Sequence, residues 1–196
     1  MKKVFFLVVL VVINFSGFAQ KKKVQKPVKS QSVVAKLDNV TAEMVKQNLF
    51  LISNANTKGV KKDSILIKSF PDKVLPLECK IVGLTPQSTK LYAVSWTEKG
   101  ITTTKLKTEE STTVFTEICN LSLQKKVLSN VQTTTNVKEI HFLDSKQTVS
   151  ETIQKVRKEG FELNLLPDGD VVLKNKTQEN KLTYSLKDNK FVPKKK

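Results

Sequence analysis

Short runs of alternating apolar and polar residues fill the middle of the chain. The runs are rich in Thr, Val, Ile, Tyr and Phe, and clusters of Pro, Gly, Ser and Lys separate them, which is typical of antiparallel strands. In one run Tyr92, Val94 and Trp96 fall on the same face. The strands predicted in this part of the chain cover residues 64–70, 75–84, 90–96, 101–107, 113–121 and 137–143.

Two other segments have apolar residues at helical spacing. Behind Thr41, a suitable N-cap, the apolar positions are Met44, Val45, Leu49 and Ile52. In the second segment Thr148 and Glu151 fit a capping box, and Gly160 stands where a helix commonly ends. The pattern predicts one helix of about 12 residues after Thr41 and another between Thr148 and Gly160.

The C-terminal part of the chain has the pattern of a strand meander. Apolar alternation over 161–165, 171–173 and 182–186 is interrupted by Asp168-Gly169-Asp170, which predicts a hairpin turn. Together these elements predict an α+β fold, with a mostly antiparallel sheet of about eight short strands and two short helices. We expect one domain over 38–193, with a seam between two halves of the fold near 132–136.

The N-terminal residues have the pattern of an export signal. Lys2 and Lys3 precede an unbroken apolar stretch over 4–13, and Gly17 and Ala19 supply the small residues that a signal peptidase requires. About 10 to 13 apolar residues are too few for a transmembrane helix. We therefore expect cleavage after Ala19 and a periplasmic or extracellular protein, with no transmembrane segment in the mature chain.

The positive charge is concentrated outside the predicted domain. The sequence holds 34 Lys and Arg against 18 Asp and Glu, a formal charge of +16. Two of these charges belong to the signal, nine to the segments 20–37 and 194–196, and five to residues 38–193. Because 20–37 contains six lysines and no acid, we predict a disordered basic arm there, with 194–196 as a short basic tail.

A lysine-rich arm outside the cytoplasm favours contact with anionic polymers. Candidates for such contact are Lys21, Lys22, Lys23, Lys26 and Lys29. The alternative is a solvated tether with no ligand. Arg157 is the only arginine, and readers of base sequence depend on arginine forks, so we expect no sequence-specific nucleic-acid partner.

Cys79 and Cys119 are the only cysteines, and each lies in a predicted strand. Export favours a disulfide between them, because oxidising compartments preserve such bonds. The alternative is a pair of buried free thiols that pack as small apolar residues. The sequence leaves both open.

His141, Asp144 and Ser145 contain the residue types of a hydrolase triad within five positions. Triad members normally converge from separate elements, and no Gly-x-Ser-x-Gly motif is present. With a single histidine and no glycine-rich phosphate loop, we expect no metal site and no cofactor. The sequence thus favours a non-enzymatic binding or scaffolding module, with an anionic envelope polymer or another envelope protein as partner. The alternative is a small cell-envelope hydrolase or an inhibitor of one.

Overall fold

The computed structural model describes residues 31–53, 63–71 and 76–194. Over these ranges the chain forms thirteen antiparallel strands in three sheets, a single 3-10 turn at Pro86–Ser88, and no α-helix. The α+β prediction is therefore wrong, and the described part of the chain is all-β. In the same ranges no helix has the length and apolarity needed to cross a membrane.

Each sheet is a meander of consecutive strands. The N-terminal sheet contains β1 (Gln31–Leu37), β2 (Val40–Val45), β3 (Asn48–Ser53) and β4 (Ser64–Ser69). The central sheet contains β5 (Leu77–Leu84), β6 (Leu91–Thr103), β7 (Lys107–Asn120), β8 (Lys125–Phe142) and β9 (Ser150–Gly160). The C-terminal sheet contains β10 (Glu162–Leu165), β11 (Val171–Lys174), β12 (Glu179–Ser185) and β13 (Lys190–Pro193).

The central sheet lies between the other two because β6 is apolar on both faces. On the front face Tyr92, Val94 and Trp96 pack against the N-terminal sheet. On the back face Leu91 and Ala93 pack against the C-terminal sheet. Each interface is a separate hydrophobic core, so the sandwich has three layers.

Only part of the central sheet is covered in this way. The near half comprises 91–98 of β6, 113–120 of β7 and 125–131 of β8, and it supplies the core residues of these strands. The far half comprises 99–103 of β6, 107–112 of β7, 132–142 of β8 and all of β9. Neither of the two core clusters of the described chain includes a residue of the far half, in which Thr135 and Val137 of β8 are the buried residues.

The first predicted helix is a β-hairpin. Val40, Ala42 and Met44 are buried in β2, and Leu49 and Leu51 are buried in β3. Each strand therefore has an apolar period of two, and the pairing of Ala42 with Leu51 closes the hairpin. Tertiary burial on alternate positions favours the strand over the helical spacing that the same residues allow.

The second predicted helix is the edge strand β9. Its eleven residues, Ser150–Gly160, pair with β8. Thr148 does not cap a helix but donates hydrogen bonds to Asp144 within the β8–β9 turn. Pairing with β8 along the whole length of β9 satisfies the inward-facing backbone groups of a segment whose composition would suit a helix.

Other boundaries also differ from the prediction. Residues 31–37 form β1, so this part of the arm predicted as disordered over 20–37 is a strand. Residues 20–30 of the arm lie outside the described residues. The predicted signal and Lys195 and Lys196 of the tail lie outside them too. The seam predicted at 132–136 is the middle of β8, which is continuous across it. The strands predicted separately over 90–96 and 101–107 are joined, because β6 is continuous from Leu91 to Thr103 and the chain reverses only after Thr103.

Candidate anion-binding cleft

A cleft opens on the back face, where the far half of the central sheet meets the tip of the C-terminal sheet. It has a volume of about 420 Å³. The central sheet contributes Gln132, Lys158 and Gly160. The C-terminal sheet contributes Glu162, Lys174, Asn175, Lys176 and Thr177. The cleft therefore joins three segments that are distant in sequence.

Gly160 sets the angle between the two walls. It ends β9 with a φ of +81°, a conformation that residues with a Cβ rarely adopt. A Cβ at this position would also lie 2.1 Å from the carbonyl oxygen of Val131. Only glycine therefore allows the chain to leave β9, pass close to β8 and enter β10.

The β11–β12 turn forms the opposite wall and is held by one side chain. Oδ1 of Asn175 accepts hydrogen bonds from the backbone N–H groups of Thr177, at 2.9 Å, and Gln178, at 2.8 Å. The backbone N–H of Asn175 donates in turn to the carbonyl of Gln178 at 2.9 Å. This Asx turn fixes the position of Lys176 at the mouth of the cleft.

Positive charge predominates in the cleft. Its lining includes three lysines and a single acid, Glu162. Lys174 pairs with Glu179 at 3.1 Å, whereas Lys158 and Lys176 have no ion pair with any described residue. Two ammonium groups are therefore available for an anion, with the amide of Gln132 beside them as a further donor.

The front face of the far half differs, because its charges neutralise one another. Lys107 pairs with Glu109 at 2.9 Å, and Arg157 lies 2.8 Å from Glu159 and 4.0 Å from Glu109. A side-chain hydrogen bond from Lys107 is the largest of the interactions that lower the pKa of Glu109. Lys155 also lies on this face without an ion pair to a described residue, but the acids of the face outnumber its cations. The excess positive charge available for an anion thus lies on the back face of the sheet.

Two of the residues considered for a hydrolase triad, His141 and Asp144, contact other side chains. Nε2 of His141 lies 3.2 Å from Oε2 of Glu139, and the interaction with His141 is the main cause of the lowered pKa of Glu139. Asp144 accepts hydrogen bonds from Thr148 and from the N–H of Val149. The hydrogen bond from Thr148 is the first cause that lowers the pKa of Asp144. No hydrogen bond in the described chain joins His141 to Asp144 or to Ser145.

Cys79 and Cys119 are free thiols, so the disulfide favoured by the export signal is absent from the structure. They lie on β5 and β7 with β6 between them; Cys119 pairs with Tyr92, whereas Cys79 lies beside the Trp96 end of β6. Their Cα atoms are therefore about 10 Å apart across the sheet and about 13 Å along it, beyond the reach of a disulfide. Burial raises the pKa of Cys79 to about 11 and that of Cys119 to about 12.

The structure confirms the predicted Asp168-Gly169-Asp170 turn, which lies between β10 and β11. A second charged cluster joins this turn to Lys194. The Asp170 side chain is buried, at 6% exposure, and its Oδ2 lies 2.7 Å from Nζ of Lys194 and 3.5 Å from Nζ of Lys181. This cluster is internally neutralised and offers no free cation.

The remaining candidates add no further site to the described part of the chain. The arm lysines Lys21, Lys22, Lys23, Lys26 and Lys29 lie outside the described residues. Over the described ranges no three His, Cys, Asp or Glu side chains are grouped closely enough to hold a metal ion. No family model, no curated protein and no solved structure matches the chain.

Proposed function

We propose that the protein is an exported, non-enzymatic binding module that holds an anionic glycan of the cell envelope in the back-face cleft. The observation that carries the proposal is the convergence of Lys158, Lys174 and Lys176 on one cleft, two of them without an acidic partner among the described residues. Unpaired ammonium groups in a concave site favour a ligand that carries phosphate or carboxylate groups.

The lining also suits a sugar backbone. The amide of Gln132, the hydroxyl of Thr177 and the carboxylate of Glu162 are hydrogen-bonding groups that hydroxyls can meet. Lysine acts as a point charge and does not impose the planar, bidentate geometry of arginine. The cleft would therefore select for charge and spacing along a polymer rather than for one anion geometry.

The N-terminal lysines extend this proposal. Lys21, Lys22, Lys23, Lys26 and Lys29 precede β1, and a basic segment of this kind raises the encounter rate with a polyanion in a manner that salt weakens. In this proposal the arm speeds association with the polyanion and the cleft slows its dissociation. Separate variants of the arm and of the cleft can therefore test the two contributions.

The test measures binding of the full chain to polygalacturonate, with neutral dextran as the control ligand. The cleft variant carries Lys158→Gln, Lys174→Gln and Lys176→Gln. A matched variant changes three exposed turn lysines that make no ion pair with a described residue, Lys105→Gln, Lys146→Gln and Lys187→Gln. A third variant lacks residues 20–30.

We expect the cleft variant to bind about tenfold more weakly, because three exposed charge contacts of about 0.5 kcal/mol each amount to roughly one decade. Its salt dependence should be shallower by about two to three counterions. The matched variant should change affinity by less than about threefold, and the arm deletion should act mainly on the association rate. Equal losses in the two triple variants would mean that net charge alone governs binding, and the cleft proposal would be wrong.

A further inference from the structure

Strand β9 presents an unusually long free edge. It contains 11 residues, whereas the other edge strands, β1, β4, β5, β10 and β13, contain 7, 6, 8, 4 and 4. Over the described residues it pairs only with β8, so its outer backbone groups have no strand partner. All residues of β9 except Ile153 are exposed to solvent.

The edge is also regular. β8 and β9 pair over eleven consecutive positions, from Gln132 with Gly160 to Phe142 with Ser150, without a bulge. The pairs that involve the edge strands β1, β4 and β5 each contain a register shift. Proteins usually blunt edge strands by shortness, bulges, proline or charged side chains, and of these β9 has only the charged side chains. The placement of its charges therefore decides whether another strand can pair with it.

The charges of β9 favour pairing with a second copy about Gln154. If two β9 strands pair antiparallel about Gln154, Glu151 of each copy lies directly opposite Arg157 of the other. A register centred one residue later would oppose Lys155 with Lys155 and Glu151 with Glu159, and both pairs repel. A register centred one residue earlier also opposes opposite charges, Glu151 with Lys155, but it pairs only seven residues of each strand, whereas the register about Gln154 pairs nine.

The side chains of Glu151 and Arg157 are both exposed and able to form this contact between copies. Glu151 makes no ion pair with a described residue, and it is exposed. Arg157 contacts Glu159 through Nε, and its side chain is 55% exposed. The guanidinium carries five N–H donors, so its terminal nitrogens can meet a further carboxylate.

We propose that the protein forms a symmetric dimer in which the β9 strands of two copies pair about Gln154 and join the two central sheets into one of ten strands. A twofold axis perpendicular to the sheet keeps both back faces on the same side. The two Lys158 residues would then lie about 27 Å apart along the strand direction. The dimer does not depend on the proposed function, although two clefts on one face would suit a repeating polymer.

The test reverses the charges of Glu151 and Arg157, which face each other across the proposed dimer. Sedimentation velocity of the full chain over a range of concentrations measures the dimer dissociation constant. Arg157→Glu opposes two glutamates and Glu151→Arg opposes two arginines, so each should raise the dimer dissociation constant at least about tenfold. The double variant E151R/R157E restores opposite charges and should return to within about threefold of the unmodified chain. Lys187→Glu, in the β12–β13 turn, is the matched control and should leave the constant unchanged.

Two outcomes would overturn the proposal. The first is an unmodified chain that stays monomeric at every concentration. The second is a dimer whose dissociation constant does not respond to the single changes or does not recover in the double variant. Circular dichroism of each variant checks that the β structure is retained. Arg157→Glu and the double variant both carry glutamate at position 157, so they lack the same contacts within their own chain. A difference between these two variants therefore reports the contact between copies.

Discussion

The near and far halves of the central sheet are made by the same strands but meet different surroundings. In the near half β7 buries Ile118 and Cys119 on opposite faces, because another sheet covers each side. In the far half the same strand carries Glu109, Ser111 and Thr112, and neither core reaches them. One continuous strand is therefore a core element at one end and a surface element at the other.

The difference between the two halves separates the region that stabilises the fold from the region that is proposed to bind. The near half is held by apolar burial, whereas the far half depends on backbone pairing, ion pairs and contacts such as the 3.0 Å hydrogen bond between the Thr113 and Thr133 hydroxyls at the boundary. Backbone pairing of this kind leaves side chains free to face a ligand or another copy. The cleft lysine Lys158 and the β9 edge both belong to the far half.

The largest effect should come from truncating Trp96 in the near half. It is 1% exposed, stacks on Phe115 with ring centroids 5.2 Å apart, and meets Phe70 edge to face. We expect Trp96→Ala to lower the free energy of unfolding by about 3–5 kcal/mol in urea denaturation. A truncation in the far half, Val156→Ala, removes an exposed side chain and should cost less than about 0.5 kcal/mol. Similar losses at the two sites would end the distinction between the halves.

Most strands could be predicted from the sequence, because their signals are local. Alternation predicts β4 and β5, and the Asp168-Gly169-Asp170 turn forms where its composition places it. The errors arise where local and nonlocal preferences disagree. Met44 and Leu49 fit a helical stripe, but Met44 and Leu49 also pair directly across the β2–β3 hairpin, and that long-range burial prevails.

The cleft was harder to predict because no local signal joins its walls. Lys158 lies in a segment predicted as helix, and Lys176 lies in a hairpin that begins eleven residues after Gly160. Gly160 was expected to end a helix and instead ends a strand, with the positive φ that either role requires. The turn-forming Asn175 was the one available signal that Lys176 is presented on a hairpin.

An intermediate effect should come from the contact at the boundary between the halves. Oε1 of Glu98 accepts hydrogen bonds from Nε1 of Trp96 at 2.8 Å and from Nζ of Lys68 at 2.6 Å. Glu98→Ala should cost about 1–3 kcal/mol, because it leaves the indole N–H without an acceptor. Lys68→Met should cost about 1 kcal/mol or less, because this ion pair is partly exposed and the Trp96 contact remains.

Urea denaturation of both variants at low and high salt separates the two contributions. The effect of Lys68→Met should shrink in high salt, whereas most of the effect of Glu98→Ala should persist. Equal and salt-sensitive losses would show that the charge, rather than the indole hydrogen bond, carries the contact.

The smallest effect concerns Asp170, which links the C-terminal sheet to the end of the chain and lies away from the far half. Burial opposes ionisation of this carboxyl, but hydrogen bonds from Lys194 and Thr183 and the charges of Lys194 and Lys181 outweigh it, so its pKa is lowered. A carboxyl with a lowered folded pKa stabilises the fold above its unfolded value, and this contribution is lost as the pH falls through the folded value.

Asp170→Asn should therefore cost about 1 kcal/mol at pH 7, and the difference from the unmodified chain should fade below about pH 4, the ordinary range of an aspartate. Urea denaturation between pH 2.5 and 7 in steps of about half a unit measures it. Because Asp170 is not among the residues that line the cleft, polygalacturonate binding at pH 7 should not change. A loss of binding in a folded Asp170→Asn variant would show that a change before β11 reaches Lys174 and Lys176 in the cleft, and the stability of the C-terminal sheet could then not be separated from binding.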